Sequence, residues 1–122
     1  TLLCGDLSFV HDANALAIGP GEPRPRLRVV VADDAGGAIF ATLEYGEDRF
    51  AGPFERVFAT PSGVDLVALA TAYGVPARRV ALTDLEAALA GPVAGPEVIV
   101  VGVDRARRRD LAAALADCAA GL

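Results

Sequence analysis

Leu27-Arg28-Val29-Val30-Val31-Ala32-Asp33-Asp34-Ala35-Gly36-Gly37 is the stretch on which the fold turns. Its first half is an almost unbroken β-branched run, which suits a strand buried on both faces. Its second half is turn chemistry, with two carboxylates followed by two glycines. Working outward, Thr1 to Gly5 reads as a further buried parallel strand ending in Gly-Asp. From Ser8 the apolar residues Phe9, Ala13, Leu16 and Ala17 fall at spacings of three and four, so a helix is predicted with Ser8 as its N-cap. Gly19-Pro20 stops it, and the proline-rich stretch to Arg26 is a stiff loop.

Downstream, Ala38 to Glu44 reads as a short helical turn and Tyr45 to Gly63 as an irregular stretch carrying Phe50, Phe54 and Phe58. So long an aromatic loop belongs to a functional or partner-covering segment. Val64 to Tyr73 is an amphipathic helix with Asp65 in its first turn, and Arg78 to Leu82 a short strand. Thr83-Asp84-Leu85-Glu86 has the spacing of a capping box opening another helix. Glu97 to Val103 is a strong strand, and Arg105 to Ala120 an alanine-rich terminal helix. Strands alternating with helices in this way predict an α/β fold, a parallel sheet with helices on both faces.

The composition sets bounds. A chain of 122 residues suits one domain and excludes a two-domain enzyme carried whole. It opens on Thr1 rather than Met, so we expect the C-terminal portion of a longer chain. All 11 basic residues are arginine, which excludes mechanisms that need a lysine, such as Schiff-base chemistry or a Walker-A clamp. A net charge of −5 without a basic stripe opposes nucleic-acid binding. The one dense basic run, Arg105 to Arg109, is flanked by Asp104 and Asp110 and reads as a solvated helix face. No apolar stretch reaches the length of a membrane span. Cys4 and Cys118 read as two buried, reduced thiols of a cytoplasmic protein. A single histidine, His11, makes a His-rich metal site or a serine-type triad unattractive, and no G-x-G-x-x-G follows a strand.

Open parallel sheets bind ligands outside the carboxyl ends of their strands. Asp6 and Asp33-Asp34 fall at two such ends. If those strands are neighbours, the ends lie about 5 Å apart. Paired carboxylates there could bracket Mg²⁺, which accepts a few protein oxygens and completes its octahedron with phosphate oxygens and water. Gly36 and Gly37 allow close backbone approach and offer a carbonyl ligand. The same residues also suit plain structural roles, Asp6 as a helix cap and Asp33-Asp34 as turn residues.

Gly5-Asp6, followed after a helix and a strand by Asp33-Asp34-Ala35-Gly36-Gly37, resembles the Gly-Asp … Asn/Asp-Asn motif of thiamine diphosphate enzymes. The run Gly5-Asp6-Leu7-Ser8-Phe9-Val10-His11-Asp12-Ala13-Asn14-Ala15-Leu16 is similar to one branch, the 2-succinyl-5-enolpyruvyl-6-hydroxy-3-cyclohexene-1-carboxylate synthases of menaquinone biosynthesis. Gly36-Gly37-Ala38-Ile39-Phe40-Ala41-Thr42-Leu43-Glu44 and Phe54-Glu55-Arg56-Val57-Phe58-Ala59-Thr60-Pro61 support the same branch, and the resemblance spans residues 1–122.

The resemblance implies a thiamine diphosphate-binding domain over residues 1–122. It implies Mg²⁺ ligated by Asp6, Asp34 and the Gly36 carbonyl, with backbone groups of Gly5, Leu7 and Ser8 near the diphosphate. Ile39, Phe40 and Leu43 would lie beside the thiazolium ring and the substrate, Ile39 on the cofactor side as well. The implied reaction decarboxylates 2-oxoglutarate and adds the succinyl unit to isochorismate. The family's catalytic glutamate and most of its substrate-binding arginines lie in an N-terminal domain, and its active sites form between two subunits. No catalytic residue is therefore expected in these residues, and the expected partners are the remaining domains and a second subunit. Asp33 stands where the family commonly has Asn; this extra carboxylate is expected to strengthen cation attraction and to repel diphosphate when the metal is absent. The alternatives are another thiamine diphosphate enzyme, acetolactate-synthase-like or a 2-oxoacid decarboxylase, and a non-catalytic α/β interaction module.

Overall fold

A computed structural model describes residues 1–121. Its elements run β1 (Leu2–Gly5), α1 (Asp6–His11), β2 (Arg28–Asp33), α2 (Ala51–Phe54), α3 (Leu66–Ala72), β3 (Ala77–Val80), α4 (Leu85–Ala90), β4 (Glu97–Gly102) and α5 (Arg108–Ala120), with short 3-10 turns between several of them. The chain divides into two compact units, one of residues 1–33 with 63–103 and one of residues 34–62 with 104–122.

The first unit is the parallel α/β sheet that the sequence predicts. Its strand order is β1-β2-β4-β3, and every pairing is parallel. Alternation along β2 and β4 divides their side chains between two faces. Val29, Val31, Val98 and Val100 pack with Phe9, Leu66, Ala70 and Val75, so α1 and α3 cover one face. Val30, Ile99 and Val101 pack with Val80, Leu85 and Ala88, so α4 covers the other. Full burial of a side chain such as Ile99 contributes about 1.5–3 kcal/mol.

Several boundaries depart from expectation. Among the described residues β1 pairs with β2 alone, so it is an edge strand and Leu3 is 71% exposed. The first helix starts at Asp6, two residues before Ser8. Its N-cap is Gly5, and no side chain makes a capping bond. Asp65 is an N-cap rather than a first-turn residue; its carboxylate accepts from the amides of Val67 and Ala68, both at 3.0 Å. The capping box at Thr83 does not form, because Leu82–Asp84 is a 3-10 turn and no side chain caps α4.

The second unit corrects the expected irregular stretch. Residues 44–59 form consecutive helical turns: 3-10 turns Glu44–Gly46 and Asp48–Phe50, then α2, then a π-turn Glu55–Ala59. Aromatic packing holds them. Tyr45 stacks on Phe58 with ring centroids 4.7 Å apart, and Phe54 and Phe40 also meet Phe58. Offset and tilted ring pairs of this kind each add about 0.5–1.5 kcal/mol beyond burial. In α5, Leu111 and Leu115 are exposed.

Candidate functional site

β1 and β2 are neighbours in register Gly5↔Ala32, so Asp6 and Asp33 are each one residue past a matched pair at the carboxyl ends of adjacent strands. Asp6 is only 4% exposed, and its Oδ1 accepts a 2.8 Å hydrogen bond from the backbone N–H of Leu7. No arginine forms an ion pair with Asp6 among the described residues. Gly5 caps α1 with extended backbone, and Ser8 lies inside the helix with its side chain exposed.

Asp33 has an ion-pair partner: Arg79, on β3, pairs with its Oδ2 at 2.8 Å, and the Asp33 carbonyl accepts from Val103 N–H at 2.8 Å. A counter-charge therefore stands beside this carboxylate. Nothing in sequence spacing links Arg79 to Asp33; the pair follows from strand order.

In the second unit, Asp34 opens the turn and its Oδ1 is buried from solvent. Ala35 (φ 59°) and Gly36 (φ 135°) both take positive φ, and Gly36 is buried so closely that a Cβ would collide with the Ala59 carbonyl. Gly37 N–H donates to that carbonyl at 2.7 Å. The Gly36 carbonyl accepts from Ala38 N–H at 3.0 Å, leaving a second lone pair for another partner. Immediately beyond, Ile39, Phe40 and Leu43 expose apolar surface from the 3-10 turn Ala38–Thr42 and its end.

The basic run is not merely a solvated face. Arg105 donates to the Ala35 carbonyl at 2.9 Å and pairs with Glu55, while Arg109 donates to the Leu43 carbonyl at 2.7 Å. A cleft of about 1000 Å³ in this unit is lined by Arg49, Arg105 and Arg109 together with Glu47, Glu55 and Asp110. Its mixed charge gives no preference for an anion.

Each unit by itself offers hard oxygen donors: the buried Asp6 carboxylate in the first, and the Asp34 carboxylate and the Gly36 carbonyl in the second. Among the described residues no group of three or more His, Cys, Asp or Glu is arranged to hold a metal. Mg²⁺ needs no such cage, since it retains waters and takes phosphate oxygens. Among the described residues no helix is long and apolar enough to cross a membrane.

The two cysteines differ from expectation as well. Cys118 is exposed, whereas Cys4 is partly buried and burial pushes its thiol up. A raised thiol has less thiolate at a given pH and so reacts more slowly. Alkylation near pH 8 is expected in two phases, and Cys118→Ser should remove the fast one; loss of the slow phase instead would contradict this assignment.

The first unit is of the parallel α/β class, whose members bind ligands outside the carboxyl ends of their strands, and the buried Asp6 lies at such an end. Sequence comparison narrows the resemblance. It is 52% identical over 114 residues to the 2-succinyl-5-enolpyruvyl-6-hydroxy-3-cyclohexene-1-carboxylate synthase of Rhodococcus erythropolis, covering 93% of this chain and 21% of the relative. The synthase of the same name from Nocardia farcinica is 53% identical over 110 residues, 89% of this chain and 20% of the relative. That of Mycobacteroides abscessus is 46% identical over 114 residues, with 93% and 21% covered. Over the matched residues the chain is similar to this part of these synthases, as the motifs led us to expect. It spans about a fifth of the length of the curated relatives it matches. No family model matches the chain.

Proposed function

We propose that this chain supplies the metal–diphosphate part of a thiamine diphosphate-dependent synthase acting in menaquinone biosynthesis in the cytoplasm. The observation that carries this reading is Asp6, a carboxylate almost wholly buried at the carboxyl end of a parallel sheet. Asp6 and Asp34 would contribute carboxylate oxygens to Mg²⁺, and Gly36 its carbonyl. Backbone groups of Gly5, Leu7 and Ser8 would serve the diphosphate. Thiamine diphosphate, when bound, supplies the electron sink for decarboxylating a 2-oxo acid and transferring the remaining acyl unit. On this reading the acid is 2-oxoglutarate and the acceptor isochorismate, and the product is the 2-succinyl-5-enolpyruvyl-6-hydroxy-3-cyclohexene-1-carboxylate that the relatives' names print.

The chain's own residues bind and exclude water; no proton transfer is assigned to them. Ile39, Phe40 and Leu43 offer exposed apolar side chains that suit a thiazolium ring and a carbocyclic substrate. The missing catalytic groups would come from the remaining domains and a second subunit.

Asp6→Ala in the full-length protein tests the reading. Calorimetry with Mg²⁺ present should show thiamine diphosphate affinity falling roughly a hundredfold, about 2.7 kcal/mol. Unchanged affinity would sink the assignment. Product formation that depends on isochorismate separates this synthase from an acetolactate-synthase-like or decarboxylase relative.

A further inference from the structure

We propose that Arg105 is a positioning residue for the turn Asp34–Gly37, and that through this turn it sets how strongly the site prefers Mg²⁺ to a larger divalent cation. The inference rests on the reading above, in which the Gly36 carbonyl is a metal ligand.

The turn is strained and therefore needs support. Ala35 holds φ 59° directly before Gly36 at φ 135°. A non-glycine residue in the left-handed region costs on the order of 1–3 kcal/mol and persists only where its surroundings determine it. Those surroundings form a closed ring of contacts within the second unit. Gly37 N–H bonds the Ala59 carbonyl at 2.7 Å, and Ala59 ends the π-turn that begins at Glu55. The Thr60 amide closes that π-turn on the Glu55 carbonyl at 2.9 Å. The Glu55 carboxylate pairs with one arm of the Arg105 guanidinium, whose other arm donates to the Ala35 carbonyl at 2.9 Å.

Local chain chemistry puts Arg105 in place. Asp104 caps the following 3-10 turn, its carboxylate accepting from Ala106 N–H at 2.9 Å, so Arg105 opens that turn. A planar fork with fixed donors holds the carboxylate and the carbonyl at a set spacing, whereas a lysine ammonium on its flexible stem fixes neither direction. Arg105 supplies both side-chain links of the ring, to the Glu55 carboxylate and to the Ala35 carbonyl. Replacing it leaves the turn braced from the Ala59 side alone.

A loosened carbonyl affects two cations differently. Mg²⁺ demands near-ideal octahedral geometry at about 2.0–2.1 Å, whereas Ca²⁺ accepts variable geometry at about 2.3–2.6 Å. A displaced ligand should therefore weaken Mg²⁺ more than Ca²⁺, while a general loss of stability would weaken both alike.

The experiment compares wild type, Asp6→Ala, Arg105→Lys, Arg105→Gln and Glu55→Gln in the full-length protein. Thiamine diphosphate binding is measured by calorimetry with Mg²⁺ and with Ca²⁺, and hydrogen exchange at the Gly37 amide is followed without cofactor. Both Arg105 variants should bind about tenfold more weakly with Mg²⁺ and less than about threefold with Ca²⁺, in line with the effect of groups that orient a metal ligand. Glu55→Gln should shift the ratio in the same direction by less, and Gly37 exchange should quicken in all three. If the Arg105 variants bind like wild type, or lose both cations by one factor, the positioning role is overturned. If wild type shows no metal-dependent binding, or Asp6→Ala matches it, the underlying reading falls first and takes this inference with it.

Discussion

Gly36→Ala in the full-length protein is expected to lower stability by about 3–5 kcal/mol, most of it lost from the unit that contains the turn. Two costs combine at this position. Backbone at φ 135° is open to glycine and strains any residue with a Cβ. The added methyl would also collide with the backbone carbonyl of Ala59, which cannot swing aside as a long side chain could. Moving that carbonyl breaks its bond from Gly37 N–H. Urea unfolding measures the loss, and proteolysis should expose residues 38–60 at concentrations where the wild type resists. Gly91 provides the contrast: it is extended (φ −74°, ψ 158°), as the residue before a proline prefers to be, and a Cβ there meets nothing within 4 Å. Gly91→Ala should be neutral or stabilise by up to about 1 kcal/mol, through the reduced freedom of the unfolded chain. Equal losses at the two positions would refute the close-packing argument.

The second large effect lies at Arg28, which is 4% exposed on β2. The parallel register sets it opposite Glu97, and its Nε donates to Glu97 Oε1 at 2.8 Å. The remaining nitrogens donate to the carbonyls of Leu89 at 2.6 Å and Gly91 at 3.1 Å, where α4 ends. One side chain thus joins two strands and satisfies the last carbonyls of a helix. Arg28→Leu leaves a carboxylate and two carbonyls without their donor, and the expected cost is about 3–5 kcal/mol. Glu97→Leu added to it should recover part of that loss, because an apolar pair carries no stranded charge. Denaturant unfolding of both singles and the double closes the cycle. If the double is as unstable as the sum of the singles, the pair is not coupled and the explanation fails.

Legibility in the sequence followed the range of the interactions. β2 and β4 could be read because β-branched runs fill both faces of a covered sheet, and that pattern lies within a few residues. Gly36 could be singled out because paired glycines beside carboxylates report local backbone need. The helical turns of residues 44–59 could not be read, because ring contacts around Phe58 hold them and no apolar period marks them. The Thr83 box failed for a local reason: the 3-10 turn places Thr83 inside itself, one residue before the helix cap Asp84. Arg79–Asp33 and Arg105–Glu55 were invisible because each joins segments brought together only by the folded chain. Cys118 was expected to be buried as reduced thiols commonly are, whereas α5 leaves both its leucines and its cysteine in solvent.

The open outer side of β1 has a practical consequence for handling these residues by themselves. An edge strand with Leu2 and Leu3 exposed, one on each face of the sheet, is a template for another strand in any crowded sample. Losses on concentration would then follow second-order kinetics and depend on how often two edges meet, even while each fold stays intact. Dilution, not added stabiliser, is the remedy such a surface calls for.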